Sequence, residues 1–283
     1  SGGGGGSDGD SSPFELRADG ELVMPLHVAN AVGGGRYLVP PEFAQSVIIE
    51  LGVNSIHTVR DSLFRQRFFD RHFVLSFEPL LDKWAHSLST YPGARPIYRV
   101  PLGKHHERGL ILPFAVGPNT GVHELHVANM DGCSSLLRLA PDPGGNVPCS
   151  TKVETRRVPV ISLRTVLGWL PPGAVVDFLK SDIQGMDALA ILSAGDRIGM
   201  IRRMQLEVPL GFQRNLGGLH CEEALRRLGA HGFRLATAPE VTPYASLPST
   251  KGVSKGAPLI YAGGNFTCAT RTAREGDLFL IRA

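Results

Sequence analysis

The chain lacks any apolar run of the ~18–20 residues that a membrane-spanning helix requires, and its first residues have no basic start followed by an apolar stretch. We therefore expect no membrane span. Cysteine is scarce: the four, at 133, 149, 221 and 268, form no Cys-x-x-Cys pair and no His/Cys cluster at zinc spacing, so a structural zinc site is not expected. Their even number allows two disulfides, while a chain this long can equally bury four free thiols, and Asn265-Phe266-Thr267 fits the acceptor pattern for N-glycosylation. Cytoplasm and an organelle or secretory lumen both stay open. An excess of one charge is also missing, with 29 basic against 26 acidic side chains and a net charge of +3. Without a clustered basic stripe, no nucleic-acid partner is expected. Neither Gly-x-Gly-x-x-Gly nor Gly-x4-Gly-Lys-Ser/Thr follows the first strand, which removes the main support for dinucleotide and triphosphate cradles.

What is present is an ordinary globular composition, 42% hydrophobic and 19% charged, in a length that one large α/β domain can fill. Residues 1–13 are Gly, Ser and Asp with one Pro, read as a flexible tail or linker; 14–283 are read as a single domain with a core at about 46–240. Phe14 to Pro41 suggests short strands or an irregular lead-in. Ser46–Gly52 and Phe73–Phe77 are apolar runs, each feeding a helical stretch, the first through Phe64 and the second over Leu80–Leu88. Gly117–Gly121 is turn chemistry between Leu110–Val116 and Val122–Ala128, which predicts a hairpin. After a long Gly/Pro/Ser-rich loop from Met130 to Ser150 come strands at Val158–Ser162, Val175–Asp182, Met204–Val208, Phe233–Ala236 and Asp277–Arg282. Helices fall at Leu163–Leu170, Met186–Leu192 and Cys221–Leu228. This alternation implies an α/β fold with a doubly wound, mainly parallel sheet and helices on both faces, whose ligands bind beyond the carboxyl ends of the strands.

Four acids fall at such ends: Glu50, Glu78, Asp182 and Glu207. Gly52 allows a sharp backbone turn after the first strand, with Asn54 and Ser55 as donors beyond it. Glu78 closes the second strand, where a carboxylate can accept both hydroxyls of an adenosine ribose or simply cap the helix that Pro79 begins.

These residues resemble the FkbM-like family of S-adenosylmethionine-dependent methyltransferases. The resemblance runs from about Ser46 to Ala236 through ordered motifs. Glu50-Leu-Gly52-Val-Asn54 is similar to the family's glycine motif, Ser76-Phe-Glu78-Pro79-Leu80 to its Phe-Glu-Pro motif, and Phe114-Ala115-Val116-Gly117 to its Ala-Val-Gly motif. Cys133-Ser134-Ser135-Leu136 resembles its serine-rich loop, Asp177-Phe-Leu-Lys180-Ser-Asp182-Ile-Gln184-Gly185 its acidic signature, and Gln205-Leu-Glu207-Val its next strand. The family's fold is the Rossmann-like methyltransferase fold. Its cofactor would lie with the methionine end against Gly52, Asn54 and Ser55 beside Glu50, the ribose on Glu78, and the adenine near Phe114 and Ala115. Ser134 and Ser135 would close over it, and Asp182 with Gln184 would face the transferred methyl group.

The resemblance further implies in-line methyl transfer to an oxygen of a small-molecule or carbohydrate acceptor, with Asp182, and His57 behind it, as candidate bases. Ile56 stands where the family often carries a second glycine, and the alternative of a non-catalytic binding module on the same fold rests on it. A dehydrogenase on the same sheet is disfavoured by the missing Gly-x-Gly-x-x-Gly. His105-His106 and His123 with His126 do not have the spacing of a metal site. Arg156-Arg157, Arg202-Arg203 and Arg226-Arg227 read as solvated faces, Phe68, Phe69 and Trp84 as core aromatics. Acceptor identity and oligomeric state are not legible.

Overall fold

Runs of Val, Ile, Leu and Phe without polar alternation make strands that are covered on both faces. Val47–Leu51 and Phe73–Phe77 are such runs, and every residue of each is buried. The computed structural model describes residues 15–16, 22–23, 38–39, 41–54, 72–89, 109–140, 149, 151–210, 215–237, 240, 259–261, 268 and 275–283. In chain order its strands are β1 (Glu15–Leu16), β2 (Leu22–Val23), β3 (Val47–Leu51), β4 (Phe73–Phe77), β5 (Gly109–Leu112), β6 (Ala115–Val116), β7 (Gly121–Ala128) and β8 (Arg138–Leu139), followed by β9 (Lys152–Ile161), β10 (Val176–Ser181), β11 (Arg203–Pro209), β12 (Asn215–Leu216), β13 (Phe233–Leu235), β14 (Leu259–Tyr261) and β15 (Glu275–Arg282). The helices are α1 (Leu81–Ser89), α2 (Leu163–Gly168), α3 (Asp187–Leu192) and α4 (Cys221–Ala230).

The main sheet has the order β13-β15-β11-β10-β3-β4-β5, with β14 beside β15. From β11 to β5 all neighbours are parallel, whereas β15 is antiparallel to both β11 and β13. This is the expected α/β, Rossmann-like methyltransferase fold with a mainly parallel sheet. The core runs through that sheet and its helices, with Leu163, Val166 and Leu167 of α2, Ala190 and Ile191 of α3, and Ala224 and Leu228 of α4 all buried against it. At the start of α2, Ser162 caps the helix, its hydroxyl oxygen accepting the Thr165 N–H at 3.2 Å. Among the described residues, no helix is long and apolar enough to cross a membrane.

The predicted hairpin does not form. β6 and β7 flank β9 instead, β6 parallel and β7 antiparallel to it, in a separate three-stranded sheet. The turn between them is real, but the Gly117 N–H donates to the Ile161 carbonyl at 3.0 Å, so its first arm docks on β9. β9 itself starts at Lys152, earlier than expected, because its polar first half faces solvent and carries no apolar signal. All four cysteines are paired, Cys133 with Cys149 and Cys221 with Cys268. The tail at 1–13, the helix expected through Phe64, and Phe68 and Phe69 lie outside the described residues.

Candidate functional site

The chain order turns at the centre of the sheet: β3 is followed outward by β4 and β5, and the chain then returns to lay β10 and β11 on the other side of β3. The carboxyl ends of β3 and β10 therefore border the crevice where such folds bind ligands. Gly52 turns the chain out of β3 at φ +77°, and a Cβ there would overlap the Asp182 carbonyl oxygen. Only glycine fits that close approach. Asn54 follows, also left-handed at φ 53°, and its backbone N–H donates to Glu78 Oε2 at 2.6 Å.

Glu78 thus joins the ends of β3 and β4. Its Oε1 accepts the Leu80 N–H at 2.9 Å, which is the helix-capping role, while Oε2 serves the Asn54 loop. Burial pushes its carboxyl up to about 7, further than the two backbone N–H groups can pull it down. The Ser87 hydroxyl donates to the Asn54 carbonyl at 3.1 Å, so α1 fixes the same loop from behind.

On the other side of the crevice Asp182 and Glu207 are held by side chains. Asp182 Oδ2 lies 3.4 Å from Lys180 Nζ, and Oδ1 accepts from Gln184 Nε2 at 2.9 Å. The same Gln184 nitrogen donates to Glu207 Oε2 at 3.0 Å, bridging the ends of β10 and β11. Gln184 and Gly185 are both left-handed, at φ 55° and 87°. Asp187 at the start of α3 enforces that turn: its Oδ1 accepts from Ser181 Oγ at 2.7 Å and the Ile183 N–H at 3.2 Å, its Oδ2 from the Gly185 N–H at 3.1 Å. Burial raises the Asp187 carboxyl to about 7. Lys180 is wholly inside the sheet; burial opposes its charge, but Asp182, Glu50 and Asp277 outweigh that and hold the ammonium above its ordinary value.

The serine-rich loop reaches this turn. Ser135 Oγ donates to the Gln184 carbonyl at 2.8 Å and accepts the Leu137 N–H, so it fastens the loop; Ser134 Oγ accepts the Ala128 N–H at 3.2 Å. The Cys133–Cys149 disulfide ties the same loop, and a Cβ on Gly132 would lie 3.1 Å from Asn54 Nδ2. Gly52, Asn54, Glu78, Asp182, Gln184, Ser134 and Ser135 thus gather around one crevice, with Glu50 buried in the strand below. Phe114 is half-buried with its ring centroid 6.5 Å from that of Trp169, while Ala115 in β6 packs with Leu125 and Val158 of the same small sheet and with Leu80. Ser55, His57, His105 and His106 lie outside the described residues. His123 is exposed and His126 buried, so the two do not converge. Among the arginine pairs, Arg156 meets Asp82, Arg203 meets Asp177, and both Arg226 and Arg227 meet Glu223; Trp84 donates to the Ile111 carbonyl.

Sequence reasoning gave no role to Lys180, Glu207 or Asn215. Asn215 on β12 donates its Nδ2 to the Gln184 carbonyl, a contact between elements far apart in the chain. For Lys180 a signal existed, a lysine inside an apolar strand.

A family model for the methyltransferase FkbM domain matches residues 56–235. The chain belongs to this family. Methyl transfer is accordingly its class of activity, and the FkbM match spans β4 through β13 while starting just after the Gly52–Asn54 turn. No curated protein matches the chain. A solved structure, the crystal structure of a fibrillarin/Nop5p complex, is similar at 10% identity and a TM-score of 0.35, covering 85% of this chain and 74% of that one.

Proposed function

We propose that this FkbM-family chain uses S-adenosylmethionine to methylate a hydroxyl of a small molecule or sugar. The observation that carries the reading is the pairing of Gly52 with the Asp182 backbone at the switch point, flanked by Glu78 on one side and Asp182 with Gln184 on the other. The cofactor, when bound, supplies a methyl group on a sulfonium that a substrate oxygen can take in line.

The residues present suit that group. A glycine lets the backbone come close without a side chain, and no phosphate cradle is needed because the cofactor carries a sulfonium, an ammonium and a carboxylate. Each Glu78 oxygen accepts one backbone N–H and has a further lone pair for a ribose hydroxyl. Asn54 and Ser55 would hold the methionine end, Phe114 with Ala115 the adenine edge, and Ser134 would donate from the loop above, with Ser135 holding that loop to Gln184. Asp182 is the residue nearest the reacting hydroxyl in this reading. It would take that proton as the oxygen attacks, with His57 as the other candidate.

Calorimetry with S-adenosylmethionine and S-adenosylhomocysteine tests the proposal. Saturable single-site binding of both is expected, followed by transfer of a labelled methyl group to hydroxyl acceptors. A folded chain that binds neither would return the fold to the role of a binding module.

A further inference from the structure

Lys180 is the least expected charge in the molecule, a lysine with 5% of its surface exposed in the middle of a parallel sheet. Strand register sets what faces it. Glu50 on β3 and Gln205 on β11 are its direct cross-strand neighbours, so the three side chains share one face. Two residues further along that face, Glu207 of β11 lies opposite Asp277 of β15. Asp182 comes just past the end of β10, its Oδ2 3.4 Å from the Lys180 Nζ. The ammonium therefore contacts Asp182 directly and compensates Glu50 and Asp277 on the same face electrostatically.

Burying a lysine costs desolvation, and an apolar residue of similar length would satisfy packing as well. Its neighbours would then face one another uncompensated, and carboxylates in that position do not all stay ionised. Gln184 Nε2 already engages Asp182 Oδ1, so the lysine at Oδ2 completes the hold on that carboxylate from the other side.

We propose that Lys180 is the positioning residue of this site: its ammonium, 3.4 Å from Asp182 and paired across the strands with Glu50, compensates the acids on this face and fixes the orientation of the Asp182 side chain that a cationic cofactor would meet. The inference rests on the S-adenosylmethionine reading above. A purely structural lysine would affect affinity equally at every pH. A positioning lysine has a stronger effect at low pH, where loss of the ammonium lets a neighbouring carboxyl keep its proton.

The test is calorimetric titration of the full chain with S-adenosylmethionine between pH 6 and 9, comparing the parent, Lys180→Met and Lys180→Arg. The quantity read is the ratio of parent to variant affinity, in which the titration of Glu78 cancels. For Lys180→Met we expect a ratio of about tenfold or more at pH 6 that falls below about threefold at pH 9, and for Lys180→Arg a ratio near one throughout. A Lys180→Met ratio that does not change with pH overturns the proposal. If Lys180→Met does not fold, Glu50→Gln/Lys180→Met removes one acid with the cation, and the same trend with a smaller slope is expected.

Carbon-detected NMR titration of the Glu50, Asp182 and Asp277 carboxyls separates the two readings. At least one of the three should titrate at higher pH in Lys180→Met than in the parent and return in Lys180→Arg. Unchanged titration refutes the role of Lys180 whatever binds. A parent chain that binds no cofactor while the carboxyls do shift refutes the cofactor reading and leaves Lys180 in place.

Discussion

The two banks of the crevice hold their acids in opposite ways. On the β4 side, Glu78 is a buried carboxyl gripped by two backbone N–H groups, and among the described residues Lys83 influences it only at a distance. On the β10 side, Asp182 sits in a side-chain network with a lysine and a glutamine that also engages Glu207. Burial leaves Glu78 pushed up to about 7, as it does Asp187 behind the second bank, whereas Asp182 has the Lys180 ammonium beside it. A ligand with hydroxyl donors would favour the charged form of Glu78; a cationic ligand would meet Asp182 with its orientation already set by Lys180 and Gln184. The same residue class thus does two jobs because its partners differ.

Four changes test that contrast. Gly52→Ala, at the seam, should have the largest effect, since its Cβ would strike the Asp182 backbone and its φ of +77° disfavours alanine. We expect S-adenosylhomocysteine affinity to fall about 100-fold, near 3 kcal/mol, in a chain whose circular dichroism is retained. Normal binding by this variant would mean that the banks need not meet so closely.

Next comes pH. Between the unfolded value of 4.5 and about 7, folded Glu78 keeps a proton that the unfolded chain has released. Stability therefore falls as pH rises through that window, by up to about 3 kcal/mol. Asp187, raised from 3.8 to about 7, adds a loss of the same sign. Urea unfolding at pH 5 and pH 8 should show the decline in the parent and a smaller one in Glu78→Gln. An equal slope in both would show that the first bank is compensated after all.

On the second bank, Gln184→Leu deletes the amide shared by Asp182 and Glu207 and removes one donor from each carboxylate. A loss of about 1–3 kcal/mol in unfolding free energy is expected, partly recovered by adding Glu207→Gln. If the double variant is no better than the single one, the bridge is not what joins these strands. The smallest effect belongs to Asp82→Asn, which breaks the exposed 2.9 Å contact of Arg156 between α1 and the small sheet. It should cost under about 1 kcal/mol by thermal melting and vanish in high salt.

Much of this was legible where a signal is local. Val47–Leu51, Phe73–Phe77 and Val176–Ser181 announce themselves because strands buried on both faces need unbroken apolar runs, and the acids at their ends mark the ligand side of the sheet. Gly52 was readable as a turn, but the reason no other residue serves, the Asp182 carbonyl, belongs to a strand far along the chain. The same limit explains the misplaced hairpin, since turn chemistry at Gly117–Gly121 says that the chain reverses but not that β9 will slip between the arms. Cysteine pairing and the contact of Asn215 with Gln184 likewise depend on which loops meet. Lys180 was visible in its motif, yet its meaning lies in register: only pairing β10 with β3 sets it against Glu50.

The insertion of β15 between β11 and β13 has a consequence during synthesis. A ribosome that has delivered the chain through Leu235 has produced β13 without the strand it must pair with, while β11 presents an open edge. At about 5–20 residues per second, the stretch up to Arg282 takes roughly 2–10 s to follow. For those seconds the nascent chain carries an unfilled slot in its sheet, and a chaperone that covers the β11 edge would be protecting the place reserved for β15.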